Sequence, residues 1–363
     1  MPGACVAHGM IVAIPVKTMR PSFQAKLVNG VWGDPGVCID LKFQRRAILF
    51  DIGNVQALPT RLLLRVSDVF VSHTHMDHFA GFDHLLRVCL GRDKGVRLYG
   101  PPHFISQLEH KLAAYTWNLV RNYAVDFVID ACELRADGRL ARARFRSAEQ
   151  FGREALPEVY AAHGVLHEEP QFRVRALALD HHDIVSLAFR FEESEHINVW
   201  KNRLEARSLP TGPWLTELKR QARAGAPDDT PIRVRWRTRE GSREQTFPLG
   251  ELKREVLELA PGQSVCYVTD ASGDARNRAR IEAFVADADL LFIEAVFLEA
   301  DTELAARKSH LTTAQAGGIA RSARVKAAQP FHFSSRYRGD EVSHRDEFLR
   351  ARTGDSVTSP AEC

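Results

Sequence analysis

The segment Ser72-His73-Thr74-His75-Met76-Asp77-His78 constrains this chain more than any other. Four potential metal ligands, His73, His75, Asp77 and His78, follow the apolar strand Asp68-Val-Phe-Val-Ser72 directly. In a tight loop at a strand end such side chains converge on a small volume, and imidazole together with carboxylate suits zinc or manganese. A lone histidine is usually structural; four ligand types at this spacing, at the edge where α/β folds carry their sites, point to metal. One ion cannot use all four and still admit a substrate, so the loop implies two divalent ions. Hydrolases of that kind hold their ions ~3.5–4 Å apart and clamp the reacting oxygens between them.

A second ligand set is then expected at other strand ends, and the sequence supplies it. Asp270 ends the strand Val265–Thr269, and His332 ends Ala327–Phe331. His181-His182 interrupts Arg173–Phe191. Adjacent strand residues face opposite sides, so only one of that pair can reach the ions.

The rest of the chain alternates. Ala47–Gly53 reads as a strand, and the ligand loop is followed by an amphipathic helix with Phe79, Phe82, Leu85, Leu86 and Leu90 on one face. The strand Val96–Tyr99 is halted by Gly100-Pro101-Pro102, and a helix follows from about Phe104 to Trp117. Residues from about 126 to 192 read as mostly β. Glu193–Glu251, rich in Arg, Lys, Pro and Gly, reads as an insertion. Alternation then resumes: strand Ser264–Thr269, helix about Ala279–Ala286, strand Asp289–Ile293, helix Thr313–Arg324 and a strand up to Phe333, before a frayed tail. This pattern favours an α/β sandwich in one domain over residues 1–363, two mixed sheets face to face with helices outside. A single doubly wound sheet with a dinucleotide site has no support, because no G-x-G-x-x-G follows the first strand.

Bulk properties exclude several classes. No apolar run approaches the ~20 residues of a membrane helix. Ile11–Ile14 precedes Lys17 and Arg20, the wrong order for a secretory signal. The six cysteines lie far apart with no C-x-x-C pair, which reads as free thiols in a reducing cytoplasm. A net charge of +3 does not announce a nucleic-acid binder, so any such footprint must be a local patch.

His-x-His-x-Asp-His after a short apolar strand resembles the signature of the metallo-β-lactamase superfamily. Thr269-Asp270 and His332-Phe-Ser-Ser-Arg-Tyr337 resemble the later motifs of its ribonuclease Z branch, endonucleases that trim tRNA 3′ ends. The similarity runs from about Ala47 to Gly339. It implies an αβ/βα four-layer sandwich and two metal ions. His73, His75 and one of the histidine pair would hold the first ion, Asp77, His78 and His332 the second, and Asp270 would bridge. The run Leu179-Asp180 resembles the family text before its histidine and favours His181, whereas counting back from Leu187-Ala188-Phe189 fits His182. Taking the downstream strand to fix the register makes His182 the expected ligand.

The same resemblance pairs Glu294, at the end of an apolar strand, with His310 in Ser309-His310-Leu311-Thr312. An unpaired carboxylate buried there would be costly, and Thr312 can cap the helix that follows. His310 would protonate the leaving 3′ oxygen while Glu294 orients it, and Asp77 would also hold the attacking water. The plainer reading is a loop histidine and a surface glutamate. Arg336 could grip a substrate phosphate in bidentate fashion, or form a salt bridge that fixes the C-terminal segment.

Within the insertion, Gly212-Pro213 with Lys219, Arg220 and Arg223 resembles the Gly-Pro-bearing arm with which ribonuclease Z clamps tRNA. Such cations gain affinity by counterion release at phosphates; otherwise the segment is a solvated helix pair covering the core. Met1–Asp40 lacks the opening segment of that family. The expectation is therefore a binuclear-metal phosphodiesterase that removes the 3′ trailer of precursor tRNA, as a cytoplasmic homodimer. The alternatives are a phosphodiesterase of cyclic nucleotides or other small diesters, and a non-catalytic metal-holding RNA-binding protein. The Glu294/His310 pair argues against the last.

Overall fold

The computed structural model describes residues 22–42, 44–238 and 241–354. Ile11–Ile14, Lys17, Arg20, Cys5 and Cys363 lie outside them, while Cys38, Cys89, Cys132 and Cys266 are free and buried. The chain forms two compact units: one comprises Met1–Leu166, Val174–Phe191 and Ser264–Cys363, the other His167–Arg173 and Glu192–Gln263.

Eight strands build the first sheet in sequential order: β1 (Phe23–Leu27), β2 (Val37–Leu41), β3 (Arg46–Phe50), β4 (Val66–Phe70), β5 (Lys94–Gly100), β6 (Phe127–Leu134), β7 (Arg139–Arg146) and β8 (Arg153–Tyr160). β3 to β6 are mutually parallel and the flanking pairs antiparallel. Next come β9 (Val165–Glu169), β10 (Phe172–His181) and β11 (Ile184–Glu193). The second unit supplies β12 (Glu195–Val199), β13 (Pro231–Thr238), β14 (Gly241–Pro248) and β15 (Leu257–Pro261). β16 (Ser264–Val268), β17 (Leu290–Glu294) and β18 (Ala327–Phe331) complete a second sheet of order β18-β17-β16-β11-β10-β9.

The inner faces of the two sheets meet through aromatic rings. Phe50 stacks on Phe189 at 5.3 Å, Phe70 lies 5.7 Å from Phe189, and Phe50 lies 5.9 Å from Tyr267. Offset and tilted contacts of this kind are the favoured geometry for ring pairs. The outer face of the first sheet carries Leu49, Val69 and Leu98 and is covered by Phe82, Leu85 and Leu86 of the helix Phe82–Cys89. On the other side, Val268, Leu291 and Ile293 pack against Ile281 and Val285 of Ala275–Val285 and Ile319 of Thr313–Ser322. These are the four layers expected. Thr312 does cap its helix, in a reciprocal box with Gln315. The helix after β5 is shorter than its apolar text suggested, Phe104–Ala113. Among the described residues no helix is long and apolar enough to cross a membrane.

The second unit contains the stretch 193–251, read from the sequence as an insertion and a candidate RNA-binding arm. It runs on to Gln263 and has its own apolar core, in which Leu204, Leu209, Trp214, Leu218, Val234 and Leu252 are buried. Gly212-Pro213 precedes the helix Trp214–Arg223, whose Trp214, Leu218 and Ala222 face that core. Arg220 is bound to Glu217 at 2.6 Å, and Lys219 and Arg223 are half-buried. Strong charge with weak periodicity had hidden a fold whose apolar residues come from three short helices and two hairpin-like strand pairs.

Candidate active site

Three acidic or histidine side chains follow strand ends in the left-handed backbone region that non-glycine residues seldom adopt. Asp51 (φ 54°) leaves β3, Asp270 (φ 45°) follows β16 and His332 (φ 61°) leaves β18. Each turn carries its side chain toward one volume at the sheet edges, a form of strain typical of functional sites. The loop after β4 delivers His73 and His75, and the short helix Met76–Phe79 adds Asp77 and His78.

Asp270 is the centre. Its Oδ2 lies 3.5 Å from Nε2 of His73, of His78 and of His181, and its Oδ1 lies 3.0 Å from His332 Nδ1. Asp77 Oδ2 lies 3.5 Å from Nε2 of both His78 and His332. Among the described residues, two donor groups without the Glu294–His310 pair have their atoms within 4.8 Å of one another: His73, His75, His181 and Asp270, and Asp77, His78 and His332; a third set meeting the same limit is Asp270, Glu294, His310 and His332.

The far nitrogens of the rings are already engaged. His78 Nδ1 lies 2.8 Å from Asp51 Oδ2, and His181 Nδ1 lies 2.9 Å from the Ser309 carbonyl. Such outer contacts fix the tautomer and aim Nε2 inward, as metal ligands require. Nε2 of His73 and of His78 is buried without a hydrogen-bond partner. Orphaned buried nitrogens are costly, and a cation between them would satisfy both, so the donor set fits divalent metal. Burial, with further repulsion from His78, pushes His73 down to about 2, so its imidazole is neutral and free to ligate. Burial opposes ionisation of Asp270, but the charges of His78 and His332 outweigh it and hold the carboxylate well below its usual range.

The structure places His181, and not the expected His182, among the candidate donors. β10 ends on His181, and the chain turns through His182-Asp183 before β11 begins at Ile184. His182 has φ 55°, its side chain is 66% exposed, and its Nδ1 faces Asp183 at 3.2 Å. Counting back from Leu187 carried the register of the downstream strand past its start at Ile184, and the two turn residues break that parity. We expect His181→Ala to lose metal and activity together, whereas His182→Ala should stay within a few-fold of the parent. Metal analysis and turnover of the two variants check this, and the opposite ranking would overturn it.

Glu294 ends β17 fully buried. Its Oε2 lies 2.9 Å from His310 Nδ1, and its Oε1 accepts from the backbone N–H of Ala271 at 2.9 Å and of Leu311 at 3.2 Å. Glu294 is thus buried and not a surface residue, while His310 lies in the loop before Thr313–Ser322. Burial works against a charged His310, yet the negative charge and hydrogen bond of Glu294 raise it above its ordinary value. His310, with His75, Asp77 and His181, lines a cleft of about 760 Å³.

Arg336 does not line that cleft. Its Nη1 lies 3.6 Å from Asp301 Oδ1 and its guanidinium sits over the Tyr337 ring, the salt-bridge alternative. The cations on the cleft wall are Arg307 and Lys308, at the end of the helix Thr302–Lys308. Sequence reasoning passed over these two, and also Asp51, whose position at the end of an apolar strand is the same signal that marked Asp270.

No family model matches the chain. The ribonuclease Z of Deinococcus radiodurans is 31% identical over 334 residues, covering 89% of this chain and 91% of that protein. The ribonuclease Z of Latilactobacillus sakei is 27% identical over 316 residues, covering 84% of each. Among solved structures, the metallo-β-lactamase fold protein YhfI from Bacillus subtilis aligns with TM-score 0.51 at 15% identity, covering 91% of this chain and 93% of that one. Unliganded yeast PDE1 aligns with TM-score 0.52 at 9% identity, covering 92% and 93%. At such identities the structural likeness speaks for the fold alone.

Proposed function

This chain belongs to the ribonuclease Z family, and from that premise we propose that it cuts RNA phosphodiesters, releasing the 3′ trailer of precursor tRNA. One observation carries the reading: a buried Asp270 ringed by His73, His78, His181 and His332, with the Glu294–His310 pair beside it. His73, His75 and His181 would hold one ion, Asp77, His78 and His332 a second, with Asp270 between, and zinc or manganese suits this donor set. Bound there, divalent metal supplies an activated water and neutralises phosphate charge.

The chain's own groups do the rest. Asp77, held ionised against the effect of burial by the neighbouring His332 and His78 imidazoles, can accept a hydrogen bond from the attacking water. Glu294 orients His310 and favours its protonated form, and His310 Nε2 then gives its proton to the leaving 3′ oxygen. Lys308 and Arg307 hold the phosphates beside the cleft, the role first looked for in Arg336. The folded second unit, with Gly212, Pro213, Lys219, Arg220 and Arg223, is the element proposed to grip the body of the tRNA. Family membership also suggests a homodimer working in the cytoplasm.

The test is to incubate the protein with a 3′-extended precursor tRNA and with bis-p-nitrophenyl phosphate, with and without zinc or manganese. Metal-dependent cleavage of the RNA at the trailer junction is expected; turnover of the small diester alone would sink the tRNA assignment. Lys308→Ala should raise KM for the RNA about tenfold, the scale of one lost hydrogen bond to a charged group, and leave metal content intact. An unchanged KM would remove Lys308 from the phosphate path.

A further inference from the structure

Three hollows on the first unit lie in series. The metal cleft shares Asp77, Lys308, His310 and His332 with a hollow of about 310 Å³ that also touches Trp32, Asp34 and Phe333. Asp34 in turn belongs to a pocket of about 650 Å³. That volume lies within the ~300–1,000 Å³ of small-ligand sites. The pocket abuts the metal loop closely: a Cβ added at Gly53, on its wall, would come within 1.7 Å of the Asp77 carbonyl oxygen. None of its other walls takes part in the chemistry described above.

The lining suits a nucleotide. Tyr115 is 45% exposed and meets Trp117 edge-on at 5.8 Å. Trp117 is immobilised, its Nε1–H donating to the Leu112 carbonyl at 2.8 Å and its ring set against Phe151 at 4.7 Å. Its one donor is spent, so what it offers the pocket is ring surface. Around these rings stand the amides of Asn54 and Gln56, the guanidinium of Arg87 and the imidazole of His84, with the carboxylates of Asp34 and Asp83 on the same lining. Fixed aromatic rings stack unpaired bases, amides meet base edges, and a guanidinium meets phosphate. An ordinary apolar groove would lack the last two.

We propose that this pocket is a subsite for one unpaired nucleotide of the RNA strand, its base on Tyr115 and Trp117 and its phosphate near Arg87. The strand reaches it from the metal cleft past Lys308 and Asp34. The inference rests on the RNA reading of the metal site.

The experiment uses the full-length, metal-loaded protein with Tyr115→Ala, Tyr115→Phe and Arg87→Ala. Tyr115→Ala should raise KM for 3′-extended precursor tRNA about tenfold, within the range for losing one base–aromatic stack, while kcat and turnover of bis-p-nitrophenyl phosphate stay put. Tyr115→Phe should restore the parent KM, because the ring suffices for stacking. A short single-stranded RNA bearing 2-aminopurine should be quenched by the parent and by Tyr115→Phe but not by Tyr115→Ala. If the parent cuts RNA and Tyr115→Ala neither raises KM nor loses quenching, the subsite is wrong and the ribonuclease reading stands. If the parent quenches the oligonucleotide but cuts no RNA, the ribonuclease reading fails and the subsite stands. A shift from dimer to monomer in sedimentation by Tyr115→Ala would give the pocket to a second copy of the chain and overturn the proposal.

Discussion

Asp270→Ala is expected to strip the protein of transition metal and to cost at least ~10³ in turnover, beyond the ~10–100-fold lost when an outer partner of a ligand is removed. The reason is geometric. Four imidazoles surround this one carboxylate, three at 3.5 Å from Oδ2 and one at 3.0 Å from Oδ1. Without it, His73 and His181 lose the carboxylate they share, and His78 and His332 keep only the carboxylates at the edge of the cluster, Asp51, Asp77 and Glu294. Both donor groups should therefore fail, whereas His75→Ala would weaken only the group it belongs to. Elemental analysis of dialysed protein decides the matter. Full occupancy in Asp270→Ala would end the idea that it serves both ions. Asp270→Asn separates charge from shape: it fills the same space, and should lose metal nearly as completely.

The second large effect belongs to the proton donor. His310→Ala should lower turnover by ~10²–10⁴, the usual worth of a positioned acid, while metal content stays near that of the parent. Its pH signature has a definite sign. Glu294 raises His310, and the acid works only when protonated, so activity should hold at low and neutral pH and fall as pH rises through the elevated value. Glu294→Gln removes the attracting charge and should move that alkaline limb to lower pH. It should do so for RNA and, where the leaving group needs a proton, for other diesters alike. A limb that stays in place in Glu294→Gln would assign the ionisation to another group, and loss of metal in His310→Ala would make that histidine a ligand.

What the sequence revealed follows from the range of the forces involved. The ligand loop was legible because four ligands are contiguous, and Asp270, Glu294 and His332 because each is a polar residue closing an apolar strand. The layered sandwich was legible because β3, β4, β16 and β17 are buried on both faces and read as continuous apolar runs. The choice between His181 and His182 was not, because a two-residue turn shifts strand parity without leaving a glycine to mark it. The second unit was hidden for a different reason. Its core draws Leu204, Trp214, Ile232 and Leu252 from separate short elements, so no single window reveals it. The choice between the two readings of Arg336 was not legible either, because its partner, Asp301, lies far away in sequence.

Asp51 ties these elements together. Its carboxylate accepts from the Ser72 backbone N–H at 2.6 Å and hydroxyl at 2.7 Å and from the Tyr267 hydroxyl at 2.8 Å, and it holds His78 Nδ1 at 2.8 Å. Ser72 and His78 belong to the loop of one sheet and Tyr267 to a strand of the other, so the contact that aims a ligand also bolts the two sheets together. Occupying the site and closing that seam then become one linked equilibrium, in which free metal concentration adds to folding free energy. A cell short of metal would hold this protein in a form that is idle and also more readily opened to proteases, so supply of the ion would set its abundance as well as its rate.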